Sequence, residues 1–333
     1  MAESSTAILA DSPQHQSAPS QKRFLVLLAF FCIYIVWGST YLAVRYAVET
    51  IPPLFVAGLR HLVAGGLLFA WCWWRGLRPN RQQWFASVVV GAFFFLIGHG
   101  TMHWAMQTIP SGLTALLVAT EPIWIAVLIA STSRTRIKPS LLAGLVLGIV
   151  GVSLLFNVDV NGGQSTVVST VAVLLGTFSW AVGIIYSRKS TMHPDPIMSA
   201  AMSLLAGAVM LLLTGTLVGE TAGFSLPAVS LKSALGLAYL AIMGSLISYS
   251  AYFWLLQRCP PTLVATHTYV NPIVALVLGW AVAGESLNWR TIVSGIAVVG
   301  AIALVSLGSR REARTNNVRQ EQVCASALER ETA

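Results

Sequence analysis

The sequence contains few charged residues. Only 10% of its 333 residues are Asp, Glu, Lys or Arg, whereas water-soluble domains carry about 25%. Hydrophobic residues make up 56% of the chain and form long runs. This balance excludes a water-soluble globular domain, because apolar runs of this length need a non-aqueous environment. We therefore predict a polytopic membrane protein embedded in the lipid bilayer.

Other chemical signals are also missing. The four cysteines, Cys32, Cys72, Cys259 and Cys324, have neither metal-ligand nor pairwise spacing, so no metal site or redox role is predicted. The formal charge of +8 comes from basic residues in short loops rather than on one face, which argues against nucleic acid as a partner. Neither an HExxH motif nor an acidic cluster for Mg²⁺ occurs. We therefore expect no enzyme activity and no cofactor.

Long apolar runs predict the membrane-spanning helices. About 20 helical residues cross the roughly 30 Å of hydrocarbon, and lipid offers the backbone no other partner. Ten runs fit, at residues 24–44, 54–74, 84–106, 111–131, 139–157, 165–186, 196–218, 230–256, 261–283 and 289–307. We predict an all-α membrane protein with ten transmembrane helices. Residues 1–23 and 308–333 are predicted to be disordered tails.

The positions of Lys and Arg predict the orientation, since cytoplasmic loops retain them. With the N-terminus inside, sixteen basic residues fall on the cytoplasmic side and three, Arg45, Lys232 and Arg290, on the other. A miscounted span would put this bias out of phase from that point onward, and the bias stays in phase to the end. Both termini are therefore predicted to be cytoplasmic.

The two halves of the chain resemble each other. A shift of 150 residues aligns residues 96–128 with 246–278 and gives 11 identities in 33 ungapped positions, including a Trp, a Gln and two prolines. Each half holds five spans, and an odd number makes the second copy enter the membrane upside down. We therefore predict two inverted five-helix repeats, residues 24–157 and 165–307, around a central cavity.

An acid and a proline lie in the middle of an apolar run, at Glu121 and Pro122, and the repeat aligns them with Asn271 and Pro272. A buried carboxylate costs on the order of several kcal/mol unless it is compensated, and an interior proline removes a helical hydrogen bond. We predict that both prolines interrupt their helices at equivalent depth and that Glu121 and Asn271 face the cavity. The alternative is two ordinary transmembrane prolines near a helix start.

Ionisable residues within spans are candidates for substrate binding or coupling. His99 and His103 are four residues apart and share a helix face that Glu121 could approach. Such a cluster can change charge near neutral pH, so Glu121 is predicted to bind an ammonium group or to take up a proton. Alternatively, the histidines only bond to neighbouring helices. Arg60 is predicted to attract a carboxylate, or to pair with a carbonyl or with Glu121.

In the second repeat, the span equivalent to the one that holds His99 and His103 supplies aromatic residues in place of ionisable groups, namely Tyr249, Tyr252 and Trp254. Charged groups from one repeat and aromatic groups from the other predict a pocket for a small solute with a cationic or zwitterionic end and an apolar body. The further candidates for this pocket are His267, Trp37 and Trp180. The two tryptophans could instead lie at the membrane interface.

Three longer motifs accompany the EPI and NPI sequences around the two prolines. They are IVWGSTY at residues 35–41, GLRHLVAG at 58–65 and VAGESLNWR at 282–290. With these motifs the chain resembles the EamA family of the drug/metabolite transporter superfamily over residues 24–307. The resemblance implies ten helices around a central cavity and export of amino acids or related metabolites across the inner membrane. The first half has Thr135 where the second has Glu285, so we interpret Glu285 as an interfacial capping residue.

The predicted function is secondary transport of a small-molecule solute by alternating access. Paired interruptions at the midplane of an inverted repeat suit this mechanism. A proton is a further candidate partner, because Glu121 and the histidines can titrate. The alternative is a membrane-embedded enzyme, or a channel without a transport cycle.

Overall fold

A computed structural model of the chain describes residues 19–132, 139–156, 164–256, 258–259, 264, 267–301 and 303–304. No strand occurs in these residues, which confirms the prediction of an all-α protein. The main helices are α1 (residues 19–47), α2 (Pro53–Trp74), α3 (Arg81–Ala105), α4 (Ser111–Thr132), α5 (Pro139–Phe156), α6 (Gln164–Lys189), α7 (Pro196–Leu217), α8 (residues 231–256), α9 (His267–Ala283) and α10 (Trp289–Ala301). A short 3₁₀ helix, Leu226–Ala228, lies between α7 and α8.

Seven helices in the described part of the chain are long and apolar enough to cross a membrane, and these are α1 to α4 and α6 to α8. Shorter apolar helices lie within α5, α9 and α10. The first helix begins at Pro19, so residues 19–23, which the sequence places in the N-terminal tail, are helical. The rest of the predicted N-terminal tail and the whole C-terminal tail lie outside the described residues.

Polar residues in the loops begin several helices. Asn80 forms a capping box before α3. Its side chain accepts from the backbone amide of Gln83 at 2.9 Å, and the side chain of Gln83 accepts from the backbone amide of Asn80 at 2.9 Å. Asp195 accepts two amide hydrogen bonds in the first turn of α7, and Ser230 accepts one in that of α8. Such side chains satisfy amides that have no partner within the helix. These three polar residues therefore stabilise the starts of α3, α7 and α8.

Helices of the first half pack mainly against helices of the second half. The central pair is α2 and α7, which lie side by side over much of their length. Helix α3 packs against α6 and α7, while α8 packs against α1 and α2. In addition, α1 contacts α9 and α6 contacts α4. The core is thus shared between the two halves.

Glycines allow these helices to approach each other closely. A Cβ atom at Gly65 of α2 would lie 2.9 Å from Cβ of Leu204 on α7. A Cβ atom at Gly176 of α6 would lie 3.0 Å from the carbonyl oxygen of Gly98 on α3. Small residues at helix contacts are typical of membrane proteins, where close van der Waals packing replaces the hydrophobic effect.

Within the described residues, three helices contain π-helical stretches, and these are Cys32–Val36 in α1, Ala92–His99 in α3 and Leu240–Ile247 in α8. A wider turn displaces backbone carbonyls from the regular ladder, and side chains of neighbouring helices can bind them. Ser179 of α6 donates to the Phe93 carbonyl at 2.9 Å. Trp37 of α1 donates through Nε1 to the Gly244 carbonyl, also at 2.9 Å. The π-helical stretches of α3 and α8 are thus each tied to a helix of the other half.

Helix α4 is interrupted at residues 119–120, between a first segment that ends at Val118 and a second that begins at Glu121. Pro122 has no N–H, so it cannot continue the hydrogen-bond ladder of the first segment. Pro272, in contrast, lies inside the continuous helix α9. The two prolines that the sequence aligns therefore differ, because one accompanies an interruption and the other does not.

Candidate functional site

A cavity of about 140 Å³ lies among α1, α2, α3, α4, α6, α8 and α9. Its wall includes nine residues that the sequence singles out, namely Trp37, Arg60, His99, Glu121, Trp180, Tyr249, His267, Asn271 and Pro272. Four others, His103, Tyr252, Trp254 and Pro122, are not part of the wall. The cavity thus brings together residues from both halves of the chain.

Glu121 supplies the negative charge of the cavity. The interruption of α4 places this residue at the start of the second helical segment, where it lines the wall. Its carboxylate forms neither a hydrogen bond nor an ion pair with any residue in the part of the chain that the structure describes. A carboxylate within a membrane span needs a partner or water. Glu121 is therefore available to a cationic group in the cavity.

Arg60 supplies the positive charge. It is 4% exposed and donates from Nε to Oγ of Ser245 at 3.0 Å. Ser245 is fully buried in the π-helical stretch of α8, so the wide turn of that helix holds the guanidinium of α2. The two Nη groups have no acceptor among the described residues. Arginine binds carboxylates through paired N–H groups, and these donors remain available for that purpose.

The two charges do not neutralise each other directly. Arg60 and Glu121 are both described residues, and they do not form a salt bridge with each other. Tyr41 and Tyr249 lie within electrostatic range of both charged groups. The cavity therefore has two separated charges with phenol rings near both of them.

Aromatic rings form much of the remaining wall. Trp37 contacts Tyr249 edge to face, with ring centroids 5.3 Å apart, and contacts His267 in the same way at 5.1 Å. Trp180 stacks on Phe94 at 4.3 Å. Rigid aromatic faces of this kind bind apolar and cationic groups.

Histidines from two helices meet at the α3 side of the cavity. Nε2 of His61 on α2 lies 2.8 Å from Nδ1 of His99 on α3. His103 is fully buried, and its Nδ1 donates to the carbonyl oxygen of His99 at 2.7 Å. Helical spacing predicts that His99 and His103 share a face, but only His99 reaches the cavity. The direct partner of the His99 ring is His61, which lies on another helix.

Asn271 joins α9 to the π-helical stretch of α1. In the amide orientation that satisfies both polar atoms, Nδ2 donates to the carbonyl oxygens of Ile33 and Tyr34 at 3.0 Å. Asn271 therefore binds backbone groups that the wide turn of α1 leaves available. Its role differs from that of Glu121, the residue with which the sequence repeat aligns it.

Two aromatic candidates lie behind or beyond the wall. Tyr252 contacts Trp37 at 5.3 Å between ring centroids and so supports a wall residue. Trp254 lies further along α8, where the guanidinium of Arg258 stacks over it at 4.2 Å. This arrangement is typical of a membrane interface rather than of a solute pocket.

Four polar wall residues are absent from the candidates that the sequence suggests, and they are Thr40, Tyr41, Thr177 and Thr268. Tyr41 is the last residue of the IVWGSTY motif, and this motif is the sequence feature that indicates a role for Tyr41 in the cavity wall. Thr177 bonds its hydroxyl to the carbonyl of Val173 one turn earlier, and a single threonine in an apolar helix gives little indication of a site.

Glu285 closes the end of the helix bundle where α1 ends and α4 begins. Its Oε1 accepts from the amide and the hydroxyl of Ser111, both at 2.8 Å, and Oε2 accepts from the amide of Gly112 at 3.2 Å. Nε of Arg45 lies 3.4 Å from Oε1. The loop reaches this position after Gly284, whose φ of 66° suits glycine. Glu285 is therefore a cap for the first turn of α4, supplied by the other half of the chain.

Two other acidic residues tie loops together at the same end. Glu49 pairs with Lys232 at 2.7 Å on the surface. Glu220 accepts from the amide of Leu54 at 3.0 Å, at the start of α2. Burial raises the pKa of the Glu220 carboxyl, while the amide hydrogen bond favours its charged form.

Replacing Glu285 with alanine should destabilise the protein by about 1–2 kcal/mol and lower Tm by roughly 3–6 °C. The reason is that the first turn of α4 loses its cap and Arg45 loses its ion-pair partner. Thermal unfolding of the purified protein in detergent measures this. Glu49→Ala is the control, since it removes an exposed ion pair whose contribution is small. Equal shifts in both variants would contradict the role of Glu285 as a cap.

A helical bundle with seven membrane-spanning candidates around a cavity with two separated charges belongs to the class of multi-pass membrane transporters. The model of the EamA-like transporter family matches residues 24–157 and 168–307. The chain belongs to this family, as the resemblance of its motifs indicates.

Several proteins are similar to the chain along most of their length. YedA of Escherichia coli strain K12, described as an inner membrane transporter, is 34% identical over 282 residues, which cover 84% of this chain and 90% of YedA. A probable amino-acid metabolite efflux pump of Salmonella typhimurium strain LT2 is 27% identical over 302 residues, which cover 86% of this chain and 95% of the efflux pump. A solved crystal structure with 20% identity and a TM-score of 0.60 covers 86% of this chain and 98% of its own, and it supports the fold.

Proposed function

We propose that the protein is a secondary transporter that exports small amphipathic metabolites, such as amino acids, across the cytoplasmic membrane. The observation that carries the proposal is the pair of separated, unneutralised charges on one cavity wall, Arg60 and Glu121. The family supports transport, and two of the similar proteins are named an inner membrane transporter and a probable amino-acid metabolite efflux pump.

The charges and rings of the wall match the ends of a zwitterion. Arg60 would bind a carboxylate through its Nη groups, and Glu121 would bind an ammonium group. The apolar body would lie among Trp37, Tyr41 and Trp180. A cavity of about 140 Å³ has room for several groups the size of a water molecule, and therefore for a small solute.

Alternating access requires two halves that can rock against each other, and we propose that these are the inverted five-helix repeats at residues 24–157 and 165–307. Two features support this. The eight-residue π-helical stretches of α3 and α8 begin 148 residues apart, close to the 150-residue shift of the sequence repeat. Each accepts a side-chain hydrogen bond from the first helix of the other half, from Ser179 in one case and from Trp37 in the other.

The proposal includes the orientation and the coupling ion. The distribution of Lys and Arg supports cytoplasmic termini, and in this orientation the Glu285 cap would lie on the outer side of the membrane. Glu121 is the candidate site for a coupled proton, since it is a carboxylate without a partner among the described residues.

A solute screen in proteoliposomes tests the proposal. Purified protein is reconstituted, and uptake of amino acids and related metabolites is measured with and without a pH gradient. We expect saturable transport of a zwitterion with an apolar body, and faster transport when a gradient drives it. If only solutes without a charged group are transported, the roles proposed for Arg60 and Glu121 are wrong.

A further inference from the structure

His61 is a buried histidine behind the cavity wall. None of its surface is exposed, and it does not line the cavity. Its Nε2 lies 2.8 Å from Nδ1 of His99, which does line the cavity. The other ring nitrogen of His61, Nδ1, has no hydrogen-bond partner among the described residues. The direct contact of His61 with the cavity wall is therefore its hydrogen bond to His99.

The unpartnered nitrogen indicates where the proton lies. A buried N–H group without an acceptor is costly and rare in proteins, whereas a buried lone pair without a donor is tolerated more often. Nδ1 of His61 therefore carries the lone pair and Nε2 carries the proton. This N–H donates to Nδ1 of His99, so the proton of His99 must be on its own Nε2.

The proton of His103 can be assigned from its hydrogen-bond partners in the same way. The carbonyl oxygen of His99 can only accept, so Nδ1 of His103 carries a proton. Its Nε2 is buried without a partner in the described chain and carries the lone pair. Each of the three rings thus holds one N–H, and among them only His99 can present its N–H to the cavity.

Neighbouring rings hold His99 in this orientation. Its ring stacks on Trp180 with centroids 5.0 Å apart, and Phe95 contacts it at 5.5 Å. Phe95 also packs against His61 at 4.5 Å. Because both rings are enclosed, turning over either of them would disturb this packing.

We propose that His61 is a positioning residue that fixes the tautomer of His99, so that His99 donates a hydrogen bond from Nε2 to a carboxylate of the transported solute. The proposal rests on the proposed function and narrows its substrate class. His99 and Arg60 are then two donors for one anionic group, while Glu121 binds the cationic end. A solute that lacks the carboxylate leaves both donors unused.

The first experiment reads the tautomer directly and does not depend on transport. Full-length protein with ¹⁵N-labelled histidine is placed in lipid bilayers, and the His99 ring signals are assigned by their loss in His99→Gln. We expect a protonated Nε2 and an unprotonated Nδ1 in the wild type. His61→Gln retains an N–H donor at a similar position and should preserve this state, whereas His61→Leu should give a mixture of tautomers. A wild-type His99 protonated at Nδ1 overturns the proposal.

The second experiment measures the consequence for binding. Dissociation constants for leucine and for leucinamide, which has a neutral amide in place of the carboxylate, are measured by calorimetry on protein in nanodiscs. We expect His61→Leu to weaken leucine binding about tenfold, as for the loss of one hydrogen bond to a charged group, and to change leucinamide binding less than twofold. His61→Gln should restore leucine binding to within about threefold.

The outcomes separate this proposal from the proposed function. Equal weakening of both compounds in His61→Leu would show a purely structural role and would overturn the proposal. If the wild type does not bind leucine at all, apolar amino acids are excluded as substrates, and the tautomer measurement still decides the role of His61.

Discussion

Replacing Glu121 with glutamine should lower solute transport about a hundredfold. The carboxylate is the negative charge of the cavity and has no partner among the described residues, so an incoming cation or proton is the group that it can bind. Glutamine has nearly the same shape and no charge. The loss of a charge-assisted hydrogen bond accounts for about 1.5–3 kcal/mol, or roughly ten- to more than hundredfold in affinity. The loss of a proton site would add to this.

The measurement is counterflow of the accepted solute in proteoliposomes that contain equal amounts of folded protein. Glu49→Gln is the matched control, because it changes an acid of the same kind in an exposed surface pair, and its flux should remain within about twofold of the wild type. Thermal stability of Glu121→Gln should be unchanged or higher, since a carboxylate in a membrane span is costly. Normal flux in this variant would rule out a chemical role for Glu121.

Replacing Gly65 with valine should disrupt the contact between α2 and α7. A Cβ atom there would lie 2.9 Å from Cβ of Leu204, 3.0 Å from the amide nitrogen of Leu205 and 3.2 Å from the carbonyl oxygen of Ala201. Two of these atoms belong to the backbone, so the helices must separate. We expect a destabilisation of about 3 kcal/mol and a decrease in Tm of roughly 5–10 °C.

Gly66 provides the control, because it is the next residue on the same helix and a Cβ atom at that position meets nothing within 4 Å. Gly66→Val adds the same β-branched side chain and should change Tm by no more than about 2 °C. Fluorescence-detected size-exclusion chromatography after heating compares the two variants in detergent. Similar losses in both would attribute the effect to the added side chain itself rather than to the contact between α2 and α7.

The membrane architecture could be predicted from composition because the scarcity of charge is a property of whole segments. The location of Arg60 and Glu121 within the membrane could also be predicted, since each is an isolated charge in an apolar run. Both line the cavity. The sequence did not specify whether these two charges pair with each other, because that depends on the distance between α2 and α4.

Details of helix geometry were harder to predict. Tyr249 and Trp254 both follow the π-helical stretch of α8, and Tyr249 lines the cavity whereas Trp254, five residues further along the regular helix, does not. Pro122 and Pro272 are aligned by the repeat, yet only α4 is interrupted. A proline removes one hydrogen bond in either case, and the surrounding packing decides whether the helix breaks. His61 was not among the candidates because its partner, His99, is 38 residues away on another helix.

The wide turns of α3 and α8 have a mechanical consequence. A π-helical turn contains one residue more than an α-helical turn, and each residue of an α-helix accounts for about 100° of rotation. If the extra residue passes along the helix, the segment it crosses rotates by about that angle while its hydrogen bonds are exchanged rather than lost. His99 is at the end of one such stretch, and Ser245, which holds Arg60, is within the other. Twisting a helix in this way would withdraw both of the proposed contacts to an anionic group, without unfolding it.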